Sequence, residues 1–159
     1  MSFVHGAITL GPGEGRVIQA PGHSITLKAT AEGTGGAYSL LEVVVPGNGP
    51  TQHIHKTEEE AFYILEGGVN IKIGDETIRG TVGSFVLIPR GTVHTFWNVG
   101  PTPAKLLVIF SPPGFEQFFF EVWGERGEDE EEMDHATHIE RLKAVSEKYN
   151  VEIVGPPLG

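Results

Sequence analysis

Between residues 24 and 110 apolar and polar positions alternate in short runs broken by turn formers, a pattern that predicts strands rather than helices. Ser24-Ile-Thr-Leu-Lys-Ala-Thr30 alternates as a half-buried strand should. Tyr38 to Val45 is richer in apolar and β-branched residues and stops at the turn cluster Pro46-Gly-Asn-Gly-Pro50. Ala61–Leu65 ends at Gly67-Gly68, and Val69–Ile73 turns at Gly74-Asp75 into a hairpin partner, Glu76–Arg79. Ser84–Ile88, Val93–Asn98 and Ala104–Phe110 complete the series. Strands this short and closely spaced imply an antiparallel sandwich or barrel.

The period changes after Pro112. Phe115, Phe118, Phe119 and Val122 follow helical spacing within Gly114–Trp123. Thr137-x-x-Glu140 reads as a capping box, predicting a helix from His138 to Lys148 with Ile139, Leu142, Val145 and Tyr149 as its buried stripe. The like-charge run Glu128–Glu132 is expected to be a mobile, solvated connection, and Val151–Val154 precedes Gly155-Pro-Pro157 at the end. The expected organisation is a β-barrel over residues 1–111 and a helical extension over 112–159 packed on it.

Composition narrows the chemistry. A chain of 159 residues is long enough for one domain with a real core. Its 22 glycines and 11 prolines suit many turns. The absence of cysteine excludes disulfide frameworks, thiolate catalysis, zinc ribbons and iron–sulfur clusters. A formal net charge of −10 repels phosphate backbones and anionic lipid, so no nucleic acid or membrane partner is expected. No signal peptide is evident and no apolar window is long enough to span a bilayer, so a cytoplasmic protein is expected.

Three of the seven histidines have informative neighbours. On a strand, His53 and His55 point to the same face; Glu60 precedes the next apolar run, and His94 follows the Pro89-Arg-Gly91 turn. Three imidazoles and a carboxylate form a borderline nitrogen/oxygen site for one divalent transition metal. His135 and His138 lie beside a helix start without a third ligand in view, and His5 and His23 have no supporting context.

The spacing Gly47-x5-His53-x-His55-x4-Glu60-x6-Gly67 resembles the first cupin motif, and Gly83-x5-Pro89-x-Gly91-x2-His94-x3-Asn98 the second, at all ten defining positions. Fifteen residues separate the two. Ser111-Pro-Pro-Gly-Phe-Glu116 with Phe118-Phe119, and Lys148-Tyr-Asn-Val-Glu152 running into Gly155-Pro-Pro157, are similar to single-domain quercetin 2,3-dioxygenase-like (quercetinase-like) cupins.

The resemblance implies an all-β cupin barrel (a double-stranded β-helix or jelly roll) with C-terminal helices. It implies metal ligands at His53, His55, Glu60 and His94, with Glu60 also the catalytic base. Glu58 and Glu59 compete for the carboxylate role. Counting back from Gly67 selects Glu60, and strand parity sets it beside Phe62 and Ile64, leaving Glu58 and Glu59 as expected solvent-facing charges. Gly67, Gly83 and Gly91 are expected at turns, and Asn98 is expected to tie a strand end.

Phe62 and Phe96, with Phe115, Phe118 and Phe119 as a cap, are the candidate substrate pocket. The implied activity is a metal-dependent dioxygenase cleaving a flavonol-like or other enolic or hydroxylated aromatic molecule with O2. The alternatives are a non-redox isomerase or decarboxylase, or a small-molecule-binding cupin without catalysis. By resemblance Ni, Mn or Fe is favoured, with Co, Cu and Zn also compatible. A homodimer is expected, with Phe3–Leu10 as a strand offered to a second subunit.

Overall fold

Alternation at the sequence level becomes alternation of burial in three dimensions. In the computed structural model, which describes residues 2–4, 6–20, 22–124 and 134–159, Ala104–Ser111 buries every second side chain from Ala104 to Phe110. Ser39–Val45 does the same. His5 and the acidic run 128–132 lie outside the described residues.

Among the described residues the elements follow in the order β1 (Ser2–Val4), β2 (Ala7–Thr9), β3 (Arg16–Ala20), β4 (His23–Ala29), β5 (Ser39–Val45), β6 (Gln52–His55), β7 (Glu59–Glu66), β8 (Gly68–Ile73), β9 (Glu76–Thr81), β10 (Phe85–Ile88), β11 (His94–Asn98), β12 (Ala104–Ser111), α1 (Glu116–Trp123), α2 (His135–Lys148) and β13 (Val151–Gly155). One six-stranded antiparallel sheet runs β10-β7-β12-β5-β4-β3, and one five-stranded sheet runs β13-β6-β11-β8-β9. From β6 to β12 the chain crosses repeatedly between the sheets, so they face each other as the two walls of an all-β barrel with C-terminal helices.

Leu41, Val43, Phe62, Ile64, Leu106, Val108 and Phe110 from the first sheet meet Val69, Ile71 and Phe96 from the second. Burying a side chain the size of Phe62 or Phe110 contributes about 1.5–3 kcal/mol. Asn98 ties the end of β11: its Nδ2 donates to the carbonyls of Val45 (2.9 Å) and Thr102 (2.8 Å). Gly67, Gly83 and Gly91 all adopt positive φ.

Three expectations change. Residues 3–10 do not form one strand: β1 and β2 pair antiparallel as a hairpin, Phe3 opposite Ile8, with Gly6 between them at φ 80°. The segment after residue 112 is more than a cover, because β13 enters the five-stranded sheet beside β6. Finally, α2 starts earlier than the Thr137 capping box predicts. Asp134 is its cap, its carboxylate accepting from both the Thr137 backbone N–H and the Thr137 hydroxyl at 2.9 Å.

The helix start rotates with consequences for packing. His138, Leu142, Val145, Ser146 and Tyr149 face inward while Ile139 is 36% exposed. At the start of α1 the buried Glu116 accepts from the backbone N–H groups of Ala31 (2.6 Å) and Gly114 (2.8 Å), which pins the helix to the loop after β4. Among the described residues no helix is long and apolar enough to cross a membrane.

Candidate metal centre and cavity

The four predicted ligands come together between the sheets. His53 and His55 alternate along β6, and His94 stands opposite His53 on β11, so three imidazoles project from the five-stranded sheet. Glu60 comes from β7 of the facing sheet, with Phe110 of β12 beside it in register. The ligating atoms of His53, His55, Glu60 and His94 all lie within 4.8 Å of one another. Ring centroids are 4.3 Å apart for His53–His94, 4.9 Å for His53–His55 and 5.2 Å for His55–His94.

Backbone geometry prepares this convergence. A β-carbon on Gly49 would collide with the Phe96 backbone carbonyl, so only glycine lets the chain pass β11 on its way into β6. Gly91, at φ 80°, donates its N–H to the His55 carbonyl at 2.8 Å and so joins the His94 turn to the His55 strand.

The outer ring nitrogens decide which atoms face inward. His53 Nδ1 donates to the Thr51 carbonyl at 2.6 Å and His94 Nδ1 to the Thr92 carbonyl at 2.9 Å. Their Nε2 atoms are therefore the ones aimed at the common point, and the Nε2 of His94 meets Glu60 Oε2 at 2.7 Å. The same oxygen lies 3.1 Å from His55 Nε2. Anchored Nδ1 atoms and converging Nε2 atoms are what metal-ligating histidines require. Three nitrogens and one carboxylate thus fit a divalent transition metal, whose identity the donor set leaves open.

Charge in the cluster follows from burial and neighbours. Burial, aided by the nearby imidazoles of His94 and His55, disfavours the charged form of His53 and lowers its pKa to about 3. Burial acts the same way on His55, but the Glu58 and Glu60 carboxylates on its two sides outweigh it and raise the pKa to about 9. For Glu60, burial favours the neutral acid; contacts with His55 and His94 prevail and hold it well below the usual carboxylate range. A divalent ion entering here would take the place of the proton on His55, so uptake would release protons.

Glu58 corrects an expectation. It is not solvent-facing but 7% exposed, with Oε2 3.6 Å from His55 Nδ1. The turn between β6 and β7 brings it to the Nδ1 edge of the His55 ring. Glu59, by contrast, is partly exposed beside Arg90 at 3.8 Å.

The cluster opens into a cavity of about 260 Å³ closed over by α1 and α2. Phe96, Phe115, Phe118 and Phe119 line it; Phe62 does not, lying fully buried behind Phe96 at 5.1 Å between ring centroids. Phe115 sets its edge on the His55 ring at 4.5 Å and so joins the helical cover to the ligand cluster.

The wall also holds residues not singled out from the sequence as pocket-lining: His23, Phe110, Trp123, His138 and Ser146. Parity along β12 pointed to Phe110, which is opposite Glu60. Nothing local pointed to His138, since the stripe through Ile139 is the more apolar one. His135 is exposed and His138 half-buried, and neither belongs to a group of three metal-ligating side chains among the described residues. The His53, His55, Glu60 and His94 group is the one potential metal cluster among the described residues.

Two antiparallel sheets closed over a buried cluster of three histidines and a glutamate define a β-barrel protein with a candidate metal centre. Residues 40–110, a little under half of the chain, match the model of the cupin domain. An uncharacterized protein of Methanocaldococcus jannaschii is 38% identical over 47% of this chain and 61% of its own length. Quercetin 2,3-dioxygenase of Bacillus subtilis is 30% identical over 48% of this chain and 24% of its own. The chain thus spans less than two thirds of either relative. Among solved structures, that of KdgF from Halomonas sp. superposes with a TM-score of 0.55 at 20% identity, covering 62% of this chain and 86% of the other, a likeness of fold.

Proposed function

We propose that the chain is a metal-dependent dioxygenase of the quercetinase-like type, acting on a small, flat, hydroxylated molecule such as a flavonol. The observation that carries this is the junction of a three-histidine, one-glutamate cluster with a small cavity walled by aromatic rings. The partial likeness to quercetin 2,3-dioxygenase supports the choice of substrate class, and the motif resemblance favours Ni, Mn or Fe. A bound divalent metal would supply positive charge beside an ionised substrate oxygen and the redox chemistry that dioxygen requires.

The chain's own residues have separable tasks. Both imidazole contacts fall on Glu60 Oε2, which leaves Oε1 as the atom to accept a hydroxyl proton from substrate. Phe96, Phe110, Phe115 and Phe119 exclude water and accept a flat ring between them. The proposal includes a cytoplasmic homodimer, supported by Tyr63, Phe85 and Leu87, which leave apolar surface exposed on neighbouring strands β7 and β10.

Metal analysis of the purified protein, followed by oxygen-electrode assays over a flavonol panel, tests the reading. Oxygen uptake matching loss of flavonol absorbance is the expected result. Turnover without oxygen uptake would instead make the protein a non-redox cupin, and binding without turnover would make it a ligand-binding module.

A further inference from the structure

Two of the three ligand histidines are oriented by the backbone, and the third is not. His53 and His94 each give Nδ1 to a carbonyl two residues earlier in the chain. His55 Nδ1 has no hydrogen-bond partner among the described residues, and neither has Glu58 Oε2; both atoms are buried, and they face each other at 3.6 Å. On the other side of the same ring, Nε2 meets Glu60 at 3.1 Å. The His55 imidazole is therefore clasped between two buried carboxylates, one inside the ligand cluster and one outside it.

We propose that Glu58 is the outer partner of His55, a positioning residue that holds the ring with Nε2 toward the metal and makes His55 the strongest donor of the three. A buried carboxylate is retained only with a partner, and His55 Nδ1 is the group facing it. A carboxylate on the outer N–H of a ligating histidine fixes the tautomer and raises the basicity of the inner nitrogen more than a neutral carbonyl does. Glu58 is outside the set of mutually close ligating atoms, so the role does not compete with Glu60. The inference rests on the metal-centre reading above.

Co²⁺ uptake, measured by competition with a chromophoric chelator, tests it in the full-length protein and in Glu58→Ala, Glu58→Gln and Glu59→Ala. Glu58→Ala should bind Co²⁺ about 10–100-fold more weakly. Glu58→Gln, whose amide oxygen still accepts from Nδ1–H, should lose less and serves if the alanine variant fails to fold. Glu59→Ala should match the wild type.

Proton NMR of the Co²⁺ protein supplies a second readout. Of the three shifted, exchangeable ring N–H signals, the one from His55 should move or vanish in Glu58→Ala while the other two stay. Unchanged affinity and three unchanged signals would overturn the proposal while leaving the metal centre intact. Complete loss of Co²⁺ in Glu58→Gln would make Glu58 a ligand and overturn it differently. Wild-type protein that takes up no divalent metal would remove both readings together.

Discussion

At the barrel end of the cavity, polar side chains are held by identifiable partners. His53 and His94 are anchored through Nδ1, and Glu60 bridges two imidazoles. At the helical end Glu116 pins the start of α1, but the cavity wall itself is ordered by ring packing: Phe115 stacks on Phe118 (centroids 4.8 Å), and Phe119 stacks on Trp123 (6.1 Å). The difference separates two tasks. Ligand atoms must be placed to a fraction of an ångström before a metal arrives, which directional hydrogen bonds achieve. A wall that selects ligands by shape needs only dense, non-directional contact, and substitutions there trade size and stability rather than chemistry.

The largest effect should come from breaking the barrel end. His94→Ala removes one of four candidate ligands, and the protein should lose most of its bound divalent metal, read by elemental analysis after gel filtration. The charged but peripheral Glu59→Ala should keep it. If His94→Ala retains full occupancy, the two ends do not differ in the way described.

Glu60→Gln comes next. With occupancy restored by excess metal, turnover should remain about 10²–10⁴-fold depressed if Glu60 also accepts the substrate proton. Supplying substrate already ionised at higher pH should recover part of the loss. Full activity of the metal-replete variant at neutral pH would reduce Glu60 to a ligand alone.

The helical end should respond differently. Phe115→Ala should cost about 3–5 kcal/mol in chemical denaturation, since it empties a nearly buried aromatic site, yet leave one metal per chain. Loss of metal in a folded Phe115→Ala variant would show that the cover positions His55 as well as shielding it.

A pH series on chelator-treated protein sharpens the electrostatic side. His55, with a pKa raised to about 9, stabilises the fold fully below the unfolded value of 6.5 and loses that contribution as pH climbs through 9. His53, lowered to about 3, resists the proton that the unfolded chain takes up, so stability falls as pH drops below 6.5. The cluster's contribution should therefore peak near pH 6.5, seen as a Tm maximum of several degrees in thermal melts. In metal-loaded protein that maximum should broaden, because bound metal replaces the proton.

The smallest effect is expected from His138→Leu: KM for a bound flavonol changes about 2–10-fold, the worth of one hydrogen bond, with metal affinity unchanged. A change in metal affinity instead would tie His138 to the cluster.

Much of the barrel and the four candidate ligands were legible without coordinates. Side chains alternate along a strand, so His53-x-His55 had to share a face, and β5 and β12 carried their burial in their pattern. Turn glycines such as Gly67, Gly83 and Gly91 were readable because positive φ excludes most other residues. What stayed hidden depended on contacts far apart in the chain. Glu58 and Glu59 are neighbours of the same type in one turn, and only the fold puts one at the edge of the His55 ring and the other beside Arg90.

The helices show the same boundary. The periodicity of α2 announced a helix, but its rotation was set by the Asp134 cap and the cavity beneath, which turn His138 inward and Ile139 outward against their hydrophobicity. Likewise β13 reads as an isolated short strand until its pairing with β6 places it beside His53 and His55. Sequence by itself determined local conformation and residue spacing, because backbone sterics and side-chain period act over a few residues. Tertiary structure alone decided which carboxylate is buried, which helix face lines the cavity and which sheet supplies each ligand, because those outcomes are set by sheets that close across the whole chain.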